Sequence, residues 1–176
     1  MIVTDKLKSY GAVKRELLRS VEHRQHRYLN NRAENSHQPT RQRDLAERRC
    51  LVLADGFYEW KKTERRQKTP YRFQLRTEEP FAFAWIWEEN EDEDGQTLRT
   101  FAIITTAPNA LVEKVHNRMP AMLRREAERA WLDTTTSREH VLSLLAPYPA
   151  SEMCMYEISP RVNRATEDTP ELVKAV

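Results

Sequence analysis

The stretch Cys50–Lys62 reads CLVLADGFYEWKK, and it decides where the folded domain begins. An apolar run ends at the turn-forming dipeptide Asp55-Gly56, and a second strand-like run follows. We therefore predict strands over 50–54 and 57–61. In the second strand, alternation places one set of side chains together on one face, namely Phe57, Glu59 and Lys61.

Later segments continue the strand pattern, at 70–76, 81–87, 98–106 and 154–159. Helical patterns separate the later ones, at 109–115, 124–132 and 137–145. The acidic run Glu88–Asp94 closes on Gly95 and predicts a hairpin loop. This order predicts an α+β fold, with an antiparallel, β-barrel-like sheet and flanking helices.

The chain of 176 residues has a formal net charge of +2, but the charge is unevenly divided. Residues 1–49 contain 12 Lys/Arg and 6 Asp/Glu, net +6, which leaves net −4 for 50–176. A basic start suits a polyanion such as DNA, and it is also typical of a solvated basic helix. A helix is predicted over 6–21, and irregular structure followed by a short basic helix after Pro39 is predicted over 22–49. Because the strand pattern starts at about Cys50, we divide the chain into units 1–48 and 49–176.

Several classes of protein are disfavoured by simple counts. Two cysteines provide no disulfide framework, no apolar run is long enough to cross a bilayer, and no secretory signal is visible. Three glycines exclude the common glycine-rich phosphate loops. We expect a cytoplasmic monomer without membrane contact, cofactor or metal. Cys50 and Cys154 lie in apolar surroundings and are interpreted as core thiols.

Glu59 is the first candidate for chemistry. Burial among aromatic side chains would raise its pKa and let it hold a proton near neutral pH. The alternative from the residues alone is a surface glutamate paired with Lys61 or Lys62, because most glutamates stay solvated.

His116 is the second candidate, in VEKVHNRMPAML, where a short helical pattern stops before Pro120. Its imidazole could transfer protons, with Arg118 nearby to hold an anion. A plain helix C-terminal cap is the alternative. In SPRVNRATEDTPEL, Arg161 and Arg164 are candidates for contact with phosphates, or belong to a solvated tail.

Four blocks occur in this order: RRCLVLADGFYEWKK, KTPYRF, FAIITTAPNALVEKVHNRMPAML and SPRVNRATEDTPELVKAV. Together they closely resemble the SRAP family, the SOS response-associated peptidases or abasic site processing proteins, over about residues 49–176. The resemblance implies a barrel-like α+β domain that acts on single-stranded DNA bearing abasic sites. It also implies that Glu59 and His116 are active-site residues and that a positively charged cleft binds the DNA. Our candidates for contact with DNA are Arg32, Arg118, Arg161 and Arg164.

In that family the resemblance implies covalent chemistry at a cysteine directly after the initiator Met. Its amine forms a Schiff base with the abasic aldehyde and its thiol closes a thiazolidine ring. Position 2 is Ile2 here, so we expect crosslinking to be defective. A non-enzymatic DNA-binding remnant is one alternative function, and a transposase fragment is another.

The first segment resembles something else. VTDKLKSYGAVKREL and VEHRQHRYLNNRAENSHQPTRQR are similar to the C-terminal part of a DDE insertion-sequence transposase, over about residues 2–48. That resemblance places two of the three metal-binding carboxylates on Asp5 and Glu34 and implies a fusion. NNRAEN also resembles a SRAP motif whose first asparagine is in the active site, and this makes Asn30 a further candidate.

Overall fold

The computed structural model describes residues 2–4, 23–25, 45, 47–62, 68–91, 95–164 and 166–176. Its strands are β1 (Ile2–Thr4), β2 (His23–Gln25), β3 (Arg49–Ala54), β4 (Phe57–Lys62), β5 (Lys68–Leu75), β6 (Phe81–Glu91), β7 (Thr97–Ile103), β8 (Thr105–Thr106), β9 (Met119–Pro120), β10 (Met122–Leu123) and β11 (Met153–Glu157). Two α-helices follow β10, α1 (Arg125–Leu132) and α2 (Arg138–Ser143). Short 3-10 helices cover Val112–Lys114, Ala150–Glu152, Pro160–Asn163 and Pro170–Val173.

The long strand β6 organises the larger sheet. Its first half pairs with β3 on one side and with β10 on the other, and its second half pairs with β7, all antiparallel. A second antiparallel sheet has the order β11-β5-β4. In this sheet Glu59 of β4 lies directly opposite Tyr71 of β5.

Two apolar clusters hold the larger sheet in place. The cluster on one face contains phenylalanines of both sheets, including Phe57 and Phe73, whose rings stack with centroids 5.0 Å apart. On the other face Trp131 of α1 is fully buried, and its indole Nε1 donates a 3.0 Å hydrogen bond to the carbonyl of Cys50. Burying each such aromatic side chain contributes about 2–3 kcal/mol. The first cluster also contains Val112 and Met119, so the segment between them packs against the sheet that carries β4.

The barrel-like expectation was wrong. Among the described residues the strands form separate sheets that do not close on one another, and the fold is sheet-rich with two α-helices. Closure requires every strand to have a neighbour on both edges. Here β3 and β4 are each hydrogen-bonded along one edge only within the described part of the chain.

Two local expectations were also corrected. Glu88–Glu91 was assigned to a loop, but it extends β6 as far as Glu91, paired with β7. Part of the reason is the ion pair between Glu89 and Arg99 on the opposite strand, at 2.5 Å. The helix expected over 109–115 is a single 3-10 turn at Val112–Lys114.

The N-terminal segment is described only in part. β1 and β2 run parallel, with Ile2 opposite His23. The helix predicted over 6–21 lies outside the described residues. Within the described part of the chain, no helix is long and apolar enough to cross a membrane.

Candidate functional site: an acid and an imidazole

The turn between β3 and β4 is fixed by Arg72 of β5. Its guanidinium donates to the carbonyl of Asp55 at 3.3 Å and lies 3.1 Å from the Asp55 carboxylate. Its Nη1 also donates to Gln74 Oε1 at 2.5 Å and to the hydroxyl oxygen of Tyr156 at 2.8 Å. Gly56 approaches this group so closely that a side chain would not fit. The buried arginine thus determines where β4 begins.

Strand β4 carries Glu59 from the core towards solvent. Phe57 is buried in the first cluster, the Glu59 side chain is 21% exposed, and Lys61 is exposed. These three residues share one side of the strand by alternation, and we call it the site face. Tyr58, Trp60 and Lys62 occupy the other side, the reverse face.

His116 comes from the chain that packs against this sheet. The 3-10 turn Val112–Lys114 is anchored by the fully buried Val112, whose carbonyl accepts the backbone N–H of His116 at 2.9 Å. The turn ends there, and the imidazole Nδ1 lies 3.8 Å from Glu59 Oε1. That distance suits an ion pair and is too long for a direct hydrogen bond. The two sequence candidates therefore lie side by side, although 57 positions separate them.

The Nδ1 atom of His116 has two alternative partners on Arg118. It lies 3.0 Å from the carbonyl of Arg118 and 3.2 Å from its backbone N–H. An unprotonated Nδ1 accepts from that N–H, whereas a protonated Nδ1 donates to the carbonyl and faces the Glu59 carboxylate. The tautomer of the ring therefore decides which backbone group of Arg118 is the partner of Nδ1.

The surroundings shift the proton affinity of Glu59. Burial raises the pKa of its carboxyl above the usual range, and this effect exceeds the lowering by the His116 charge and by the backbone hydrogen bond at Trp60. Desolvation disfavours the ionised form, so the acid keeps its proton to a higher pH than a solvated glutamate does. The alternative partners Lys61 and Lys62 form no ion pair with Glu59, whose ionic partner in the described part of the chain is His116.

The predicted DNA-binding arginines differ in their contacts: Arg118 contacts a backbone carbonyl, whereas Arg161 and Arg164 contact a carboxylate. Arg118 is exposed, and its guanidinium donates to the carbonyl of Thr105 at 3.3 Å. Arg161 and Arg164 both pair with the carboxylate of Glu167, at 2.6 and 3.6 Å.

The segment that carries Arg161 and Arg164 is attached to β4, because Trp60 Nε1 donates a 2.8 Å hydrogen bond to Asn163 Oδ1. Trp60 is on the reverse face, so these arginines approach β4 from the side opposite Glu59. Asn30 and Arg32 lie outside the described residues, as do Asp5 and Glu34.

Sequence reasoning missed Arg72, which is as important to the turn as the glycine beside it. The available signal was a charged residue within the strand segment KTPYRFQL, where burial demands a partner. In the described ranges, no group of three or more His, Cys, Asp or Glu is placed to hold a metal ion.

Comparisons with known proteins agree on one family. The sequence profile described as "SOS response associated peptidase (SRAP)" matches residues 6–165. Abasic site processing protein YoqW of Bacillus subtilis (strain 168) is 40% identical over 152 residues, which are 85% of this chain and 68% of that protein. Abasic site processing protein HMCES of Xenopus tropicalis is 31% identical over 149 residues, 73% of this chain and 44% of that protein.

A crystal structure of a protein from Bacteroides thetaiotaomicron superimposes with a TM-score of 0.73 at 30% identity. The match covers 80% of this chain and 62% of that one, so this chain spans less than two thirds of the solved protein. The profile match begins at residue 6, within the segment that resembles a transposase, and the fused fragment stays a prediction. Since that match extends over most of the sequence, the chain belongs to the SRAP family.

Proposed function

We propose that this protein processes abasic sites in DNA and that Glu59 and His116 form its proton-transfer pair. The observation that carries the proposal is the 3.8 Å approach of His116 Nδ1 to a half-buried Glu59 in a member of this family. The names of the relatives, abasic site processing proteins, support the substrate class.

The pair suits the reaction of an amine with an aldehyde. An abasic deoxyribose in its open form presents an aldehyde, and attack by a lysine amine of the protein gives a carbinolamine, which loses water to form an imine. With no thiol next to that amine, the imine does not close to a thiazolidine. Attack needs a group that takes a proton from the amine, and loss of water needs a group that protonates the hydroxyl. A carboxyl whose pKa is raised by burial holds a proton for donation at a higher pH than a solvated glutamate does, and the neighbouring imidazole can accept one.

The direct test uses single-stranded DNA with one abasic site, and the same oligonucleotide without it as the control. We expect an adduct that borohydride traps, formed only with the abasic DNA. Glu59→Gln and His116→Ala should each slow its formation by about 10²–10⁴-fold, the usual contribution of an acid or base. Equal rates in all three proteins would overturn the assignment of the pair.

The same experiment decides two finer points of the proposal. We propose that single-stranded DNA is preferred, so an abasic site in duplex DNA should react more slowly. A heat-stable adduct that disappears in Cys50→Ala would contradict the interpretation of Cys50 as an inert core thiol.

A non-enzymatic DNA-binding protein would behave differently. It would bind intact and abasic DNA alike, with affinity falling steeply as salt rises, and it would leave no adduct.

A further inference from the structure

Lys61 and Thr69 form a cross-strand pair beside Glu59. They lie directly opposite each other on β4 and β5, so their side chains are on the same side of the sheet, with Cβ atoms about 5 Å apart. Lys61 follows Glu59 by two residues, so this side is the site face. The rise of a strand puts Lys61 about 7 Å farther along than Glu59.

Both side chains carry hydrogen-bond donors on the site face. Lys61 is exposed and Thr69 is half-buried. Neither side chain forms an ion pair or hydrogen bond with the other described residues. The residue opposite Lys61 on the neighbouring strand is Thr69, which carries a hydroxyl group and no negative charge. An ammonium offers three donors and a hydroxyl one, and this combination suits an anion with several acceptor oxygens.

We propose that Lys61 and Thr69 bind a backbone phosphate of the DNA strand that carries the abasic site. The inference rests on the proposed function, because it takes the position of the reacting sugar from Glu59 and His116. At a displacement of about 7 Å, the bound phosphate belongs to a linkage within about two nucleotides of the abasic sugar, since about 3.4 Å per nucleotide is the shortest spacing, that of a stacked B-form strand. Lysine and threonine contacts to phosphate fix the register of a strand without reading its sequence. The pair thus places the abasic sugar at the acid and imidazole.

The adjacent Lys62 provides a matched control. It has the same charge, lies on the same strand and is also exposed, but alternation puts it on the reverse face. Its partner across the strand is Lys68, also exposed. If the lysines attract DNA only through their charge, replacing Lys61 or Lys62 should reduce the DNA affinity by the same amount. If a phosphate binds at the site face, replacing Lys61 should reduce the affinity more.

The test measures equilibrium binding of a single-stranded oligonucleotide that contains a tetrahydrofuran abasic analogue. The analogue has no aldehyde, so covalent reaction does not interfere. Lys61→Gln should weaken binding about 5- to 20-fold at low salt and reduce the slope of log affinity against log salt by about 0.7, the value of one phosphate on a single strand. Thr69→Val should weaken it about 2- to 5-fold, and Lys62→Gln less than 2-fold.

A second series replaces one phosphodiester at a time with a neutral methylphosphonate. Lys61→Gln should no longer weaken binding when the neutral linkage replaces the phosphate that Lys61 contacts, because the two changes then remove the same contact. We expect that linkage to lie within about two nucleotides of the analogue. Equal losses for Lys61→Gln and Lys62→Gln, or a penalty that persists at every linkage, would refute the phosphate site. A failure of the proposed function gives a different result. DNA that carries the aldehyde would then form no adduct, even if the effect of Lys61→Gln disappears at one neutral linkage.

Discussion

Gly56 lies against Arg72 with no room for a side chain between them. A Cβ at position 56 would stand 2.8 Å from Arg72 Nε and 2.8 Å from the carbonyl oxygen of Phe73. The arginine in turn bonds to Asp55, the other residue of the turn. The start of β4, and with it the position of Glu59, therefore depends on how closely a turn and a buried guanidinium pack.

Gly56→Ala should destabilise the protein by about 1–3 kcal/mol, because the added methyl group meets backbone and a buried guanidinium that cannot both move aside. For a chain of this size, thermal unfolding should then occur at a temperature lower by about 2–4 °C for each kcal/mol. Gly95→Asn is the control. A Cβ added at Gly95 would meet none of the described residues within 4 Å, and asparagine tolerates the φ of 72° at this position. An unchanged melting temperature for Gly56→Ala would contradict the tight approach.

Arg72→Ala and Asp55→Asn should differ in their effects, although the two side chains form an ion pair. The Arg72 side chain is 9% exposed, and its removal takes a donor from the Tyr156 hydroxyl oxygen and the shorter of two donors from Gln74 Oε1, which then has the 3.2 Å contact with the Tyr156 hydroxyl. The loss should cost about 1–3 kcal/mol. Asp55 is 76% exposed, so loss of its charge should cost less than about 1 kcal/mol. Chemical denaturation of both variants measures the difference. Equal destabilisation would mean that the ion pair, rather than the buried network, holds the turn.

The strands were predictable from sequence because their patterns are local. Expected strands at 50–54, 57–61 and 81–87 correspond to β3, β4 and β6, each bounded by turn or acidic residues. The acidic extension of β6 was missed because ordinary propensity disfavours glutamate in strands. Its pairing with β7, including the Glu89–Arg99 ion pair, outweighs that preference and is visible only in three dimensions. Closure of the sheets likewise depends on distant contacts.

The site was only half predictable. Alternation put Glu59 on the same face as Phe57, and this explains its burial. Local reasoning nevertheless favoured a surface pairing with lysine for Glu59 and a helix cap for His116, since neither residue has the other nearby in sequence. Only the resemblance to a family joined them. The buried Val112 and Met119, on either side of His116, are what bring that segment to β4.

Glu59→Gln should stabilise the protein at neutral pH. The folded state raises the pKa of Glu59 through burial, so folding favours the protonated acid. The stability this provides is complete below the ordinary glutamate pKa, about 4.3, and is lost as pH rises through the higher folded value. Glutamine imitates the protonated acid at every pH. The melting temperature of the variant should exceed that of the parent at pH 7, and the two should converge near pH 4. A difference independent of pH would contradict the desolvation of this carboxyl.

Glu59→Gln and His116→Ala should not be additive in abasic-site processing. If the two groups transfer protons as one unit, the double variant should be about as slow as the slower single variant. Independent roles predict that the two free energies add, within about 0.5 kcal/mol. Single-turnover rates of adduct formation with aldehyde-bearing DNA measure this. Lys62→Gln serves as the reference for a change on β4 that leaves the site face intact.

Cys50 should react slowly with alkylating reagents. Burial raises the pKa of its thiol to about 11. Cys50 lies on β3, a strand that contacts both apolar clusters, one on each face of the larger sheet. At pH 8 the thiolate fraction is then on the order of 10⁻³, against about a quarter for a thiol of ordinary pKa near 8.5, so iodoacetamide should modify Cys50 roughly 100-fold more slowly than a cysteine peptide. Mass mapping of the labelled residue in folded protein gives the rate, and labelling in denaturant provides the unburied reference. Equal rates in both states would show that the thiol is accessible and would make Cys50 a candidate nucleophile after all.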